Sequence, residues 1–176
     1  TGPANPGRRL KGRMNGDPSP ENRSLTVQAM LRKSADYLAA HGVEPARLTA
    51  EWLAAEALGC RRLELYLRFD QPVSEAARGR IRAGLARLGS GEPIQYVLGT
   101  AEFMTERVRV DRRVLIPRPE TEQLVEQVLA TPDWAVRPGL RLADVGTGSG
   151  CIALALARAW PTATIGAVDR SEEALQ

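Results

Sequence analysis

Five consecutive residues, Gly146-Thr147-Gly148-Ser149-Gly150, carry three glycines at alternate positions, with Asp144 just before them. A glycine has no Cβ, so a ligand can approach its backbone where another side chain would collide. A helix that opens directly after such a turn presents free N–H donors. Asp169 follows Gly150 by about 20 positions, the separation expected of an acid that holds a ribose diol. These residue types, in this order, suit a ligand built on a nucleoside.

The flanking residues supply the elements that position them. Leu142-Ala143-Asp144-Val145 reads as a short buried strand, and Cys151–Ala159 as a helix with Ile152, Leu154 and Leu156 as its apolar residues. Pro161 and Thr162 form a turn, and Thr164–Val168 is a second strand rich in β-branched residues. Asp169 stands at its carboxyl end, and Ser171 caps another helix. Strand, helix and strand in succession imply an α/β fold with a parallel sheet, and ligands of such sheets sit beyond the carboxyl ends of the strands.

The spacing discriminates among nucleotides. In the dinucleotide fingerprint G-x-G-x-x-G the third glycine would fall on Cys151, so that pattern fails. No Gly-Lys-Ser/Thr follows, which excludes a P-loop. Asp-Val-Gly-Thr-Gly-Ser-Gly resembles the first motif of class I methyltransferases, whose cofactor, S-adenosylmethionine, has an amino-acid end in place of a pyrophosphate. Upstream lie Gly91-Glu92-Pro93-Ile94-Gln95-Tyr96-Val97-Leu98-Gly99, Glu102-Phe103 and Val114-Leu115-Ile116-Pro117-Arg118-Pro119-Glu120-Thr121-Glu122. Together with the glycine motif these resemble the protein-glutamine N5-methyltransferase family, the release factor glutamine methyltransferases (PrmC/HemK), from about Leu25 to the last residue.

The resemblance implies a helical N-terminal domain, a hairpin linker and a Rossmann-like catalytic domain. It implies methyl transfer from S-adenosylmethionine to the side-chain amide of the glutamine in the Gly-Gly-Gln motif of peptide chain release factors. Carried over residue by residue, Gly146, Thr147, Gly148, Ser149 and Gly150 wrap the cofactor. Asp169 binds its ribose, and Asp144 holds the turn or the amino-acid end. Arg118, Glu120 and Thr121 lie beside the cofactor pocket; the alternative for Arg118 and Glu120 is a surface ion pair at a helix start. The family's Asn-Pro-Pro-Tyr motif, which grips the substrate amide, does not occur in this sequence, so no catalytic residue is assigned. The expectation is a partial sequence without methyl transfer of its own. Folding beyond Leu140 is expected to be marginal, since two strands rarely make a stable sheet alone.

The rest of the chain divides by its patterning. Residues 1–23, rich in proline, glycine and arginine, read as a disordered tail. Residues 24–90 read as a bundle of short helices, either a substrate-recognition module or one that only packs on its neighbour. Ser24 or Thr26 caps the first helix, in which Val27, Leu31, Ser34 or Ala35, and Leu38 recur at helical spacing. The second starts near Pro45, with Leu48, Trp52 or Leu53, Ala55 and Leu58 along one side. A helical turn spans 62–68, and a last helix opens at Ser74 with Ile81, Leu85 and Leu88 inward. Residues 91–116 read as a hairpin linker, with Val108 and Val110 on one arm, a turn at Asp111-Arg112, and Val114-Leu115-Ile116 on the other. Residues 117–176 open the methyltransferase domain with a helix near Glu120, whose stripe is Leu124, Val125, Val128 and Leu129.

Composition narrows the alternatives. With 43% hydrophobic and 26% charged residues the chain suits a soluble globular protein. A net charge of +3 is too weak to argue for nucleic-acid binding, which is not expected. Cys60 and Cys151 have neither zinc nor redox spacing, and His41 is the sole histidine, so no metal site is expected. No apolar run approaches the ~20 residues of a membrane span, and no secretory signal is apparent; a reducing cytoplasm is the expected setting. Two rival readings remain: a methyltransferase for another protein, RNA or small molecule, and a non-catalytic binding module.

Overall fold

A computed structural model of the chain describes residue 2 and residues 25–134 and 137–176. The tail expected over 1–23 therefore lies outside the described residues, apart from Gly2, and Ser24 does too.

The first helix, α1 (Val27–Ala40), is capped by Thr26, whose hydroxyl accepts the Ala29 N–H at 3.3 Å. It buries Val27, Met30, Leu31, Ser34 and Leu38, the i, i+3, i+4 stripe of an amphipathic helix. Helix α2 (Ala46–Leu58) follows Pro45 and ends at Gly59, whose φ of 62° is a conformation other residues resist. Its inward residues are Leu53 and the small Ala50, Ala54, Ala55 and Ala57; Leu48 faces solvent instead. Small side chains let helices approach closely. On α3 (Glu75–Gly89), capped by Ser74, a Cβ at Gly84 would collide with the Leu53 side chain. The segment Arg62–Arg68 is a 3₁₀ turn that buries Leu65 and leaves Leu63 and Leu67 outward. One buried carboxylate sits among these elements. Glu51 accepts from Arg47 Nε and Arg62 Nη1, both at 2.8 Å, and from the Tyr66 hydroxyl at 2.7 Å.

A short helix, α4 (Ile94–Leu98), follows where the sequence suggests extended chain. The antiparallel hairpin then consists of β1 (Thr100–Phe103) and β2 (Glu106–Arg109), with Ala101 opposite Val108. This corrects the expected hairpin. Val108 lies on its second arm, and the turn is at Met104-Thr105. The turn at Asp111 does not send Val114–Ile116 back as a strand. Alternation decides this register, because pairing Ala101 with Val108 puts both on the buried face that Phe103 and Val110 share.

That face forms a second core with Val125 of α5 (Pro119–Leu129) and with Cys151, Ala155 and Leu156 of α6 (Cys151–Ala159), closed by Trp160. Leu124 and Leu154, placed in apolar stripes by sequence, are exposed. Helix α6 connects β3 (Arg141–Val145) to β4 (Thr164–Val168), which pair in parallel with Val145 opposite Val168. The architecture is therefore mixed α/β: N-terminal helices, a hairpin, then a strand–helix–strand unit. Among the described residues no helix is long and apolar enough to cross a membrane.

Candidate functional site

The glycine-rich loop leaves β3 and crosses the end of β4. The N–H groups of Gly146 and Thr147 both donate to the Val168 carbonyl, at 2.8 and 3.0 Å. Gly146, Gly148 and Gly150 have φ of 81°, 53° and 75°, and a Cβ at each would meet nothing within 4 Å. Glycine is required here by backbone conformation, and the open space leaves the loop approachable.

Two carboxylates fix the loop. Asp144 Oδ2 accepts the Thr147 hydroxyl at 2.7 Å and the Ala153 N–H, in the first turn of α6, at 3.2 Å. Gly150 has no side chain with which to cap α6, so Asp144 supplies that acceptor from the neighbouring strand. Asp169, just beyond β4, accepts the Ser171 N–H through Oδ1 at 2.9 Å and the Gly148 N–H through Oδ2 at 2.8 Å. These backbone donors, Ser171 first, hold its carboxyl below the ordinary aspartate range. Burial pushes the Cys151 thiol up, which makes it a packing residue at neutral pH.

A cavity of about 450 Å³ opens against the loop, within the range usual for small-ligand sites. Thr147, Gly148, Ser149 and Gly150 form one wall with Ala167. Residues 173–176 form a second. The third comes from far upstream: Tyr96, Gly99, Arg109, Val110, Asp111, Arg113 and Val114. This wall is not legible in the sequence pattern, although Tyr96 belongs to the Gly91–Gly99 stretch that carries the family resemblance. Asp144 and Asp169 are not among the residues that line the cavity; Asp169 borders it through its bond to the lining residue Gly148.

Arg118, Glu120 and Thr121 do not line it either. They occupy the start of α5, with Arg118 and Glu120 exposed and the Thr121 N–H bonded to the Arg118 carbonyl. The alternative ion pair between Arg118 and Glu120 is not formed. The link from this helix start to the hairpin runs through Glu122, which accepts the Met104 N–H.

Comparison with known proteins matches residues 29–99 to a family model described as the PrmC N-terminal domain. This segment is similar to the PrmC N-terminal domain. The matched residues run from within α1 to just past α4, and so include the short helix that the sequence pattern does not reveal. Similarity continues beyond it. A release factor glutamine methyltransferase of Rhodopirellula baltica is 41% identical over 152 residues, covering 85% of this chain and 51% of the relative. That of Geobacter sulfurreducens is 42% identical over 150 residues, again covering 85% and 51%. That of Chlorobaculum tepidum is 38% identical over 159 residues, covering 89% and 54%. The chain spans about half the length of the curated relatives it matches. The family resemblance read from the sequence is borne out.

Proposed function

We propose that this chain carries the cofactor-binding part of an S-adenosylmethionine-dependent methyltransferase that modifies the Gly-Gly-Gln glutamine of peptide chain release factors. The observation that carries the reading is the glycine loop beside an approachable cavity, with an acid at the end of the next parallel strand. The similarity to release factor glutamine methyltransferases supports the substrate class.

The residues present fit that cofactor. The loop 146–150 offers glycine backbone with open space above it, and it would carry the amino-acid end. Asp169 already accepts one N–H on each oxygen. A carboxylate oxygen has two lone pairs, so acceptor capacity remains for ribose hydroxyls. Asp144 keeps the loop in shape from behind. When bound, the cofactor would supply a methyl group on a positively charged sulfur. Arg118, Glu120 and Thr121 receive no role. An amide nitrogen is a poor nucleophile and needs orienting groups; no Asn-Pro-Pro-Tyr occurs in residues 1–176 to supply them. In this reading residues 24–90 receive the release factor, 91–116 join, and 117–176 begin the catalytic domain.

Calorimetric titration of S-adenosylhomocysteine into the chain tests the proposal. Saturable binding, weakened at least roughly tenfold by Asp169→Ala, is expected from loss of charge-assisted hydrogen bonds. A folded chain that takes up no ligand would sink the reading and favour a docking module without cofactor.

A further inference from the structure

The stretch Gly91–Gly99 has no part in cofactor binding as described, yet it runs from the end of the helical bundle to the wall of the cavity. Arg87, in the last turn of α3, donates to the two oxygens of Glu92 at 2.7 and 2.9 Å. It also donates to the Tyr96 carbonyl at 3.0 Å. Glu92 accepts in addition from Arg112 Nε at 3.3 Å, and its side chain is only 8% exposed. Tyr96 donates its hydroxyl to the Val114 carbonyl at 2.8 Å.

Two tethers therefore reach the segment 110–114 from α3. One runs through the Tyr96 hydroxyl and the other through the Glu92 carboxylate. The Val110 N–H donates to the Gly99 carbonyl at 3.0 Å; beyond Val110 the segment is irregular, and its own backbone bond is that from the Val114 N–H to the Asp111 carbonyl. Its position facing the glycine loop must come from outside itself. Val110, Asp111 and Val114 line the cavity together with Tyr96.

We propose that Tyr96, supported by Glu92, is a positioning residue that holds the segment 110–114 against the glycine loop and so sets the width of the cavity. The part that concerns ligand affinity rests on the cofactor reading above. The bundle is thereby tied to the site, and the side-chain part of that tie passes through one phenolic hydroxyl and one carboxylate.

Tyr96→Phe in the full 176-residue chain keeps the ring and removes the hydroxyl. Amide hydrogen exchange without ligand should be faster at Val110 and Val114, with α1 to α3 and the thermal midpoint unchanged. Affinity for S-adenosylhomocysteine should fall roughly 3- to 10-fold, the effect of one lost hydrogen bond. Glu92→Gln should move both readouts the same way. Unchanged exchange at Val110 and Val114 in both variants overturns the proposal, whether or not ligand binds. Faster exchange with undiminished affinity also overturns it, because the cavity would then not depend on the tether. Faster exchange in a chain whose wild type binds no ligand supports the positioning role and overturns only the cofactor reading beneath it.

Discussion

The helical bundle and the parallel strand pair solve opposite problems with similar local material. The bundle closes its own core: Leu31, Leu38, Leu65 and Ile81 are essentially inaccessible, and two of its helices carry side-chain caps. The strand pair has no fully buried residue on either β3 or β4, and Val145 and Val168 are 79% and 51% exposed. A helix satisfies its backbone within itself, so three can finish a core by packing stripe on stripe. A parallel pair leaves open edges, and such sheets are ordinarily covered on both faces. The local order of strand, loop, helix and strand is in place, while the burial that usually accompanies it is not.

Truncating side chains in each region measures how closed its core is. Leu38→Ala should destabilise the bundle by about 2–5 kcal/mol, read from urea unfolding of the helical circular dichroism signal. A smaller loss, about 1–3 kcal/mol, is expected for Glu51→Ala, which strands Tyr66 and two half-exposed arginines. Burial pushes the Glu51 carboxyl up, but its bonds from Arg47, Tyr66 and Arg62 outweigh that and leave it below the ordinary range. Acid should separate the regions less sharply. Arg87, and after it Arg112, hold Glu92 down at about 2 from an ordinary 4.5. A depressed carboxylate contributes stability in full above its unfolded value and loses it as pH falls through the folded one. Protection of Val110 and Val114 should therefore decline between about pH 4.5 and 2, and Glu92→Gln should flatten that decline. Smallest of all, Val168→Ser should shift stability by no more than about 0.5 kcal/mol. An effect as large as that of Leu38→Ala would show that the strand pair has a closed core after all.

The same contrast explains what the sequence reveals. Helices α1 and α3 announce themselves by Thr26, Ser74 and their apolar stripes, because capping and periodicity are local. The strand–loop–helix–strand order is equally plain, since Gly146, Gly148 and Gly150 punctuate it. Helix α4 is too short to show a period. The hairpin is misplaced by pattern alone because Val108, Val110 and Val114 continue one alternation, while the true turn falls on Met104, a non-glycine residue at φ 53°. For the proposed site, spacing points to the loop and to Asp169, and the family resemblance to Asp144. The wall made by Tyr96 and Val114 is not legible, because only the packing of the hairpin brings it across from residues more than thirty positions later.

The bonds around the glycine loop also bear on how fast a ligand can be taken up. Within 146–150, the N–H groups of Gly146, Thr147, Gly148 and Gly150 all have acceptors in the fold, and the Thr147 hydroxyl has one too. A loop held at that many points has little conformational entropy left to surrender when something settles on it. Association should then be governed by diffusion and orientation, with no slow closing step at the loop, and differences in affinity among ligands should show up in how long they stay.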